Sequence, residues 1–301
     1  MLLDTAALYF RAFFALPETI TAPDGTPVNA VRGLLDMIAR LVTDFRPAAL
    51  VACWDDDWRP QWRVDLVPSY KAHRVAEAGS ETETVPDALT RQVPVIGAVL
   101  TALGIPIVGA PDHEADDVIG TLAATAERPV DVVTGDRDLF QVIDDARDVR
   151  VLSTVRGMSK LEVVTDEVLR GKYGIAAAQY ADYAALRGDS SDGLPGVAGI
   201  GEKTASGLLR EFGDLDALLA AVKDPSIPLS ASVRAKLRAG AEYLERARPV
   251  VAVVRDLDLP AVDGTLGRAL DADAFARLAE QWGLRGSAER VLAALRSPYQ
   301  T

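Results

Sequence analysis

The sequence is poor in the soft and nitrogen ligands that build zinc or iron–sulfur sites, with one cysteine and two histidines among 301 residues. Cys53 has no partner for an internal disulfide and lies in the apolar run from Ala48 to Trp54, where it reads as buried filler in a reducing compartment. No apolar run approaches the ~18 residues of a membrane span, and the start Met1-Leu2-Leu3-Asp4 lacks a basic leader segment. Cytoplasm is therefore the expected location and no membrane partner is expected. Bases are also scarce, 32 Lys and Arg against 44 Asp and Glu, for a net charge of −12. That deficit argues against a uniformly basic surface and leaves open a local one.

What the chain has instead is acid in short clusters. Besides Asp4, carboxylates occur at the end of Val51-Ala52-Cys53-Trp54-Asp55-Asp56-Asp57, in Glu114-Ala115-Asp116-Asp117, in Thr134-Gly135-Asp136-Arg137-Asp138 and in Gly188-Asp189-Ser190-Ser191-Asp192. Like charges gathered in one pocket repel by on the order of several kcal/mol unless cations lie among them. Because every donor is an oxygen, the pattern reads as a site for Mg²⁺ or Mn²⁺. A helix start favours acids for capping reasons alone, which accounts for part of the Glu114–Asp117 signal and not for the rest. Asp56 and Asp57 read as surface charges, and His113 as a loop residue.

The apolar pattern supplies the frame. It predicts a short strand at Leu2-Leu3, a helix from Val28 to Phe45, a strand from Ala48 to Trp54, a helix from Asp87 to Leu103, a strand from Ile105 to Val108, a helix from Glu114 to Glu127, and strands at Val130–Thr134 and Val149–Ser153. Alternation of this kind implies an α/β fold with a parallel-stranded central sheet flanked by helices, and ligands of such sheets gather at the carboxyl ends of the strands. Asp4, Asp55 and Asp136 each follow a strand, so residues distant in sequence should meet on one rim. With 49% hydrophobic residues the chain can bury a large core. We expect an α/β core with the acidic site over 1–165 and a smaller helical domain over 166–301. Two helices are expected near Asp273–Trp282 and Ser287–Leu295, packed on the smaller domain. The polar stretch from Arg74 to Thr84, with Glu77, Glu81 and Glu83, reads as a mobile loop.

Two further segments point to a polyanion. Arg59, Arg63, Lys71, His73 and Arg74 are interleaved with Trp58, Trp62 and Tyr70, a composition suited to phosphates and bases, or to a solvated loop with anchoring aromatics. Leu194-Pro195-Gly196-Val197-Ala198-Gly199-Ile200-Gly201-Glu202-Lys203-Thr204 is a helix-hairpin-helix signature within about 186–212, whose backbone N–H groups can approach a DNA phosphate and whose carbonyls can hold K⁺.

These motifs, in this order and at this spacing, resemble the bacterial and phage 5′ nucleases, or flap endonucleases, including the 5′-exonuclease domain of DNA polymerase I. The resemblance spans about residues 1–260 and includes Arg11-Ala12-Phe13 after Asp4 and Tyr70-Lys71-Ala72-His73-Arg74. It implies a structure-dependent 5′-3′ exonuclease and 5′-flap endonuclease that hydrolyses DNA by a two-metal mechanism in replication and repair. Asp4, Asp55, Glu114 and Asp116 would hold the first ion, directly or through water. Asp136, Asp138, Asp189 and Asp192 would serve the second, and Asp117 would ligate or support its neighbours. Lys71 and Arg74 would stabilise charge on the phosphate. Arg63 would contact the DNA backbone and Tyr70 would stack on a base or anchor its loop. Arg11 would reach phosphates or form an ion pair. Gly196, Gly199, Gly201, Lys203 and Thr204 would meet DNA at the hairpin. The expected partner is nicked or branched DNA with 5′ flaps or ends, with an RNA primer strand as a further substrate, and the expected state is a monomer.

The chain departs from the family at Thr5-Ala6-Ala7 after Asp4 and at Gly193, where Asn is common after the last Asp. The rivals are a non-catalytic junction-binding protein and a PIN-like RNA nuclease; the first would have little reason to keep every carboxylate, and the second would lack the hairpin.

Overall fold

The computed structural model describes residues 1–76 and 82–296. Glu77 and Glu81 of the expected mobile loop lie outside these residues. The core is a six-stranded sheet in the order β3-β2-β1-β4-β5-β6, built from β1 (Leu2–Asp4), β2 (Val51–Cys53), β3 (Ile107–Val108), β4 (Val130–Thr134), β5 (Val149–Ser153) and β6 (Glu162–Val164). All neighbours pair in parallel except β5 with β6. The antiparallel edge strand β6 is absent from the sequence reading. Its three residues carry a charge and an exposed valine, too little pattern to announce a strand.

Alternate strand residues feed two cores, as the pleat requires. Leu2, Val51, Val132 and Val151 face one, while Leu3, Ala52, Val133 and Leu152 face the other. The second core is covered by α1 (Thr5–Ala15), α2 (Asn29–Phe45) and a pair formed by α4 (Asp87–Thr90) and α5 (Val93–Ala102), the short α3 (Gln61–Leu66) lying between α2 and α4 in the chain. The sequence predicts one helix over Asp87–Leu103. The buried Gln92 divides it, donating to Asn29 Oδ1 and accepting from the backbone N–H of Ala30, with Pro94 opening α5.

The first core takes α6 (Ala115–Thr125) and the helices that follow β6, namely α7 (Asp166–Tyr173), α8 (Tyr180–Arg187), α9 (Glu202–Phe212), α10 (Leu215–Lys223), α11 (Ala231–Ala239) and α12 (Ala241–Val251). The last two helices, α13 (Ala272–Gln281) and α14 (Arg285–Arg296), are where the periodicity places them, but they do not pack on the helical domain as expected. The chain returns to the sheet through Leu50 N–H to Gly264 O and Leu266 N–H to Ala48 O, after which α13 rests on α5 and α14 on α2. Phe275, Leu284, Val291 and Leu295 are buried there, an apolar stripe that fits the open face of α2. Among the described residues no helix is long and apolar enough to cross a membrane.

Candidate active site

The carboxyl ends of β1, β2 and β4 and the start of α6 enclose a cavity of about 780 Å³ lined by Asp4, Asp55, Glu114, Asp116 and Asp136 on its floor. Asp4 ends β1 and caps α1 at once, one oxygen accepting from Ala7 N–H at 3.2 Å. Its other oxygen accepts from the Thr134 hydroxyl at 2.6 Å, and that hydroxyl accepts from Asp136 N–H at 2.8 Å. Thr134, at the end of β4, thus holds two acidic positions together. Asp55 accepts from Ala115 N–H at 2.8 Å, tying the end of β2 to the first turn of α6.

Glu114 is buried against three donors. Lys71 Nζ lies 2.7 Å from its Oε2, the Tyr70 hydroxyl 2.8 and 3.0 Å from its two oxygens, and Arg63 Nη1 3.3 Å away. Burial pulls against the Lys71 ammonium, but Glu114 outweighs it and holds the group charged. Burial likewise raises the Glu114 carboxyl, and Lys71 and Arg63 outweigh it, leaving the group below the usual carboxylate range.

Two expected DNA contacts are corrected by burial. Arg63 is 2% exposed, pairs with Asp117 at 2.7 Å and donates to Val250 O at 3.1 Å. Tyr70 is 3% exposed with its hydroxyl turned to Glu114, so its ring offers no open face to a base and it anchors its loop. Asp117 is fully buried as well, receiving Arg63 and the Val254 N–H, and it closes a capping box with Glu114. Its place is beneath the site, holding α6 and Arg63, rather than in the cavity.

The loop Gly188–Gly193 brings Asp189 and Asp192 to the same side. Asp192 accepts from Arg74 at 3.1 Å, and its carbonyl accepts from Lys71 N–H at 2.9 Å. Gly193 explains the departure from Asn at this place. It stands at φ 70°, and a Cβ there would lie 2.1 Å from Ser69 O, so no side chain fits while this loop packs on the basic stretch. Asp189 is held by Arg187 at 2.8 Å and by Ser191. Arg187, missed by the sequence reading, is half-buried over Tyr183 and precedes the acidic motif directly, a cation whose position beside Gly188-Asp189 was the available signal. Arg11 lines the cavity, with its Nε buried and without a partner. Thr134 and Glu83, also on or beside the cavity, carried no motif signal of their own. His113 stays at the loop surface, bonded to Pro111 O at 2.8 Å.

Protonation records the crowding. Burial, with Asp55 and Asp136 nearby, raises Asp4 to about 7 despite the Thr134 bond. Burial and Asp136 push Asp116 and Asp138 well above the usual range, and burial raises Asp192 to about 6. Asp138 Oδ1 is also buried with no hydrogen-bond partner. An all-oxygen donor set that resists ionisation, with one orphaned oxygen, fits hard divalent cations, which would restore the charged forms. Among the described residues no group of three or more His, Cys, Asp or Glu side chains is spaced to hold one ion by itself.

Beside this rim the glycine-rich hairpin 194–201 leads into α9 with Gly201 as the cap residue. Gly201 and Lys203 are exposed and Thr204 is partly so, at a helix start whose first N–H groups have no partner within the helix. Gly196 is different. Its N–H donates to the Tyr243 hydroxyl at 3.1 Å, so it secures the hairpin to α12 instead of reaching outward.

An acid-floored cavity on the carboxyl rim of a doubly wound sheet, with basic residues on one lip and a helical hairpin alongside, defines the 5′ nuclease class. The chain belongs to the 5′-3′ exonuclease family: residues 1–174 match its N-terminal resolvase-like domain and residues 175–269 its C-terminal SAM fold. It is 60% identical over 299 residues to the 5′-3′ exonuclease of Streptomyces coelicolor, covering 98% of this chain and 99% of that one. The 5′-3′ exonuclease of Mycobacterium tuberculosis is 48% identical over 309 residues, covering 98% and 97%. The flap endonuclease of bacteriophage T5, solved with DNA and metal ions, aligns over 98% of both chains with a TM-score of 0.63 at 19% identity, a likeness of fold.

Proposed function

We propose that this chain is a structure-dependent 5′-3′ exonuclease and 5′-flap endonuclease acting on nicked or branched DNA in replication and repair, with Mg²⁺ or Mn²⁺ as cofactor. The observation that carries the reading is the convergence of carboxylates whose ionisation is suppressed on one strand rim, faced by a Lys71–Glu114 pair. Asp4, Asp55, Glu114 and Asp116 would hold one ion, directly or through water, and Asp136, Asp138, Asp189 and Asp192 a second. When bound, the ions supply a hydroxide nucleophile and neutralise charge on the phosphate and the leaving 3′-oxygen.

The protein's own groups do the rest. Thr134 fixes the relative placement of Asp4 and Asp136. Lys71 and Arg74, on the lip, meet the non-bridging oxygens as charge builds on them. Arg11 reaches a phosphate from α1. Gly199, Gly201, Lys203 and Thr204 hold the backbone of the duplex through the start of α9. The same proposal assigns 1–165, with α13 and α14 packed on it, to catalysis and α7 to α12 to DNA binding, and takes the enzyme to be a cytoplasmic monomer that also accepts an RNA primer strand.

The test is cleavage of an end-labelled 5′-flap duplex with Mg²⁺ or Mn²⁺ by wild type and Asp136→Asn, with RNA and blunt duplex as controls. Metal-dependent cutting near the flap base that the variant loses is expected. Tight binding without cleavage by either protein would make the chain a junction-binding protein.

A further inference from the structure

The hairpin was expected to offer its carbonyls to K⁺, and one of those carbonyls already meets a cation of the chain's own. Lys236 reaches across from α11, 37 positions along the chain, and its Nζ donates to Gly199 O at 3.1 Å. Lys236 is half-buried, and this carbonyl is its one hydrogen-bond partner among the described residues; no carboxylate pairs with it there. The approach is built into the packing. Gly240, four residues on, lets the end of α11 lie against the hairpin, since a Cβ at 240 would stand 2.9 Å from Val197 Cγ2. Gly199 stands at φ 77°, and a Cβ there would fall 2.8 Å from the ammonium itself. Tyr243 on α12 completes the fastening through Gly196 N–H.

We infer that the Lys236 ammonium is a built-in monovalent cation, which takes the place of K⁺ at the hairpin and makes DNA binding there indifferent to the salt cation. A primary ammonium has the charge of K⁺ and meets a carbonyl oxygen with the same polarity, as a point charge with rotatable donors. Held in the hairpin, it offsets the Gly199 carbonyl dipole and adds one positive charge to the loop that leads into α9. Supplied by α11, it is present at any K⁺ concentration, and it is lost only with the side chain.

The inference rests on the DNA-binding reading above, and the experiment separates the two. Affinity for a 5′-flap duplex is measured in EDTA, which prevents cleavage, for wild type and Lys236→Met in KCl, NaCl and tetramethylammonium chloride at equal ionic strength. Failure of the wild type to bind DNA in any of them would sink the DNA-binding reading itself. With binding present, wild type should have the same affinity in all three salts. Lys236→Met should bind roughly tenfold more weakly in tetramethylammonium, the loss of about one charge-assisted hydrogen bond, and should regain most of that in KCl, where the small ion can enter. A wild type that itself needs K⁺ overturns the inference. So does a variant that is unchanged in every salt, or one that is weakened equally in all three, because Lys236 would then be idle or an ordinary phosphate contact.

Discussion

The Lys71 ammonium lies 2.7 Å from Glu114 Oε2, and the residue that carries it holds φ 47°, a left-handed conformation unusual outside glycine. The loop carrying Asp192 sustains that conformation, because the Asp192 carbonyl receives the Lys71 N–H. The cation is therefore aimed by the same loop that delivers Asp189 and Asp192, and neither part of the site can be set without the other.

Replacing Lys71 by Met should lower the single-turnover cleavage rate by on the order of 10²- to 10³-fold, the usual cost of removing a donor from a developing oxyanion. Affinity for the flap duplex should change far less, because one phosphate contact among several is lost. A titration and a quench-flow series on the same protein would separate the two. Equal losses in both would make Lys71 a binding residue only.

Arg63→Met should destabilise the fold by about 3–5 kcal/mol, since it leaves the buried carboxylates of Asp117 and Glu114 short of a partner. Urea unfolding measures this. The salt dependence of DNA binding by the folded fraction should keep its wild-type slope, whereas a residue touching phosphate would reduce it by about one unit.

Thr134→Val keeps shape and removes the hydroxyl shared by Asp4 and Asp136. The expected result is a fall of ~10- to 100-fold in divalent-ion affinity, typical of losing a group that orients ligands. Isothermal titration with Mn²⁺ would show it, and an unchanged affinity would remove Thr134 from the site's design.

Without divalent ions the protein should lose stability as pH rises. Asp4, raised to about 7, and Asp192, raised to about 6, keep protons in the native state that the unfolded chain has already released above about pH 4. The native fold therefore binds more protons across that window, stability falls with increasing pH through it, and the full penalty stands above about pH 7. Divalent ions relieve the penalty, so the rise in melting temperature on adding Mg²⁺ should be larger near pH 8 than near pH 5. An equal rise at both pH values would contradict suppressed ionisation as the origin of the effect.

Much of this site is legible in the sequence, because each acid sits at a place where local chemistry already marks an element's end. Asp4 follows two leucines, Asp136 comes two residues after the end of the strand Val130–Thr134, and Glu114 precedes an apolar helix. What sequence alone could not give is which way the basic stretch turns. Arg63 and Tyr70 have the composition of a DNA-facing patch, yet α3 and its loop pack against α12 and the start of α6, and burial with Glu114 and Asp117 decides their orientation. Thr134 is a single hydroxyl at a strand end and looks like any strand threonine. The placement of α13 and α14 was equally hidden, because an apolar stripe states that a helix needs a partner and not which one.

That placement changes the mechanics of the helical unit. It leaves the sheet after β6 and returns to it at Gly264 and Leu266, so it is moored to the α/β core at both ends. A flap hung from one strap can swing through a wide arc, but one sewn along two edges can only flex. The hairpin belongs to a unit fixed to the core of the acidic rim at both its ends, as a ruler is by its two end stops.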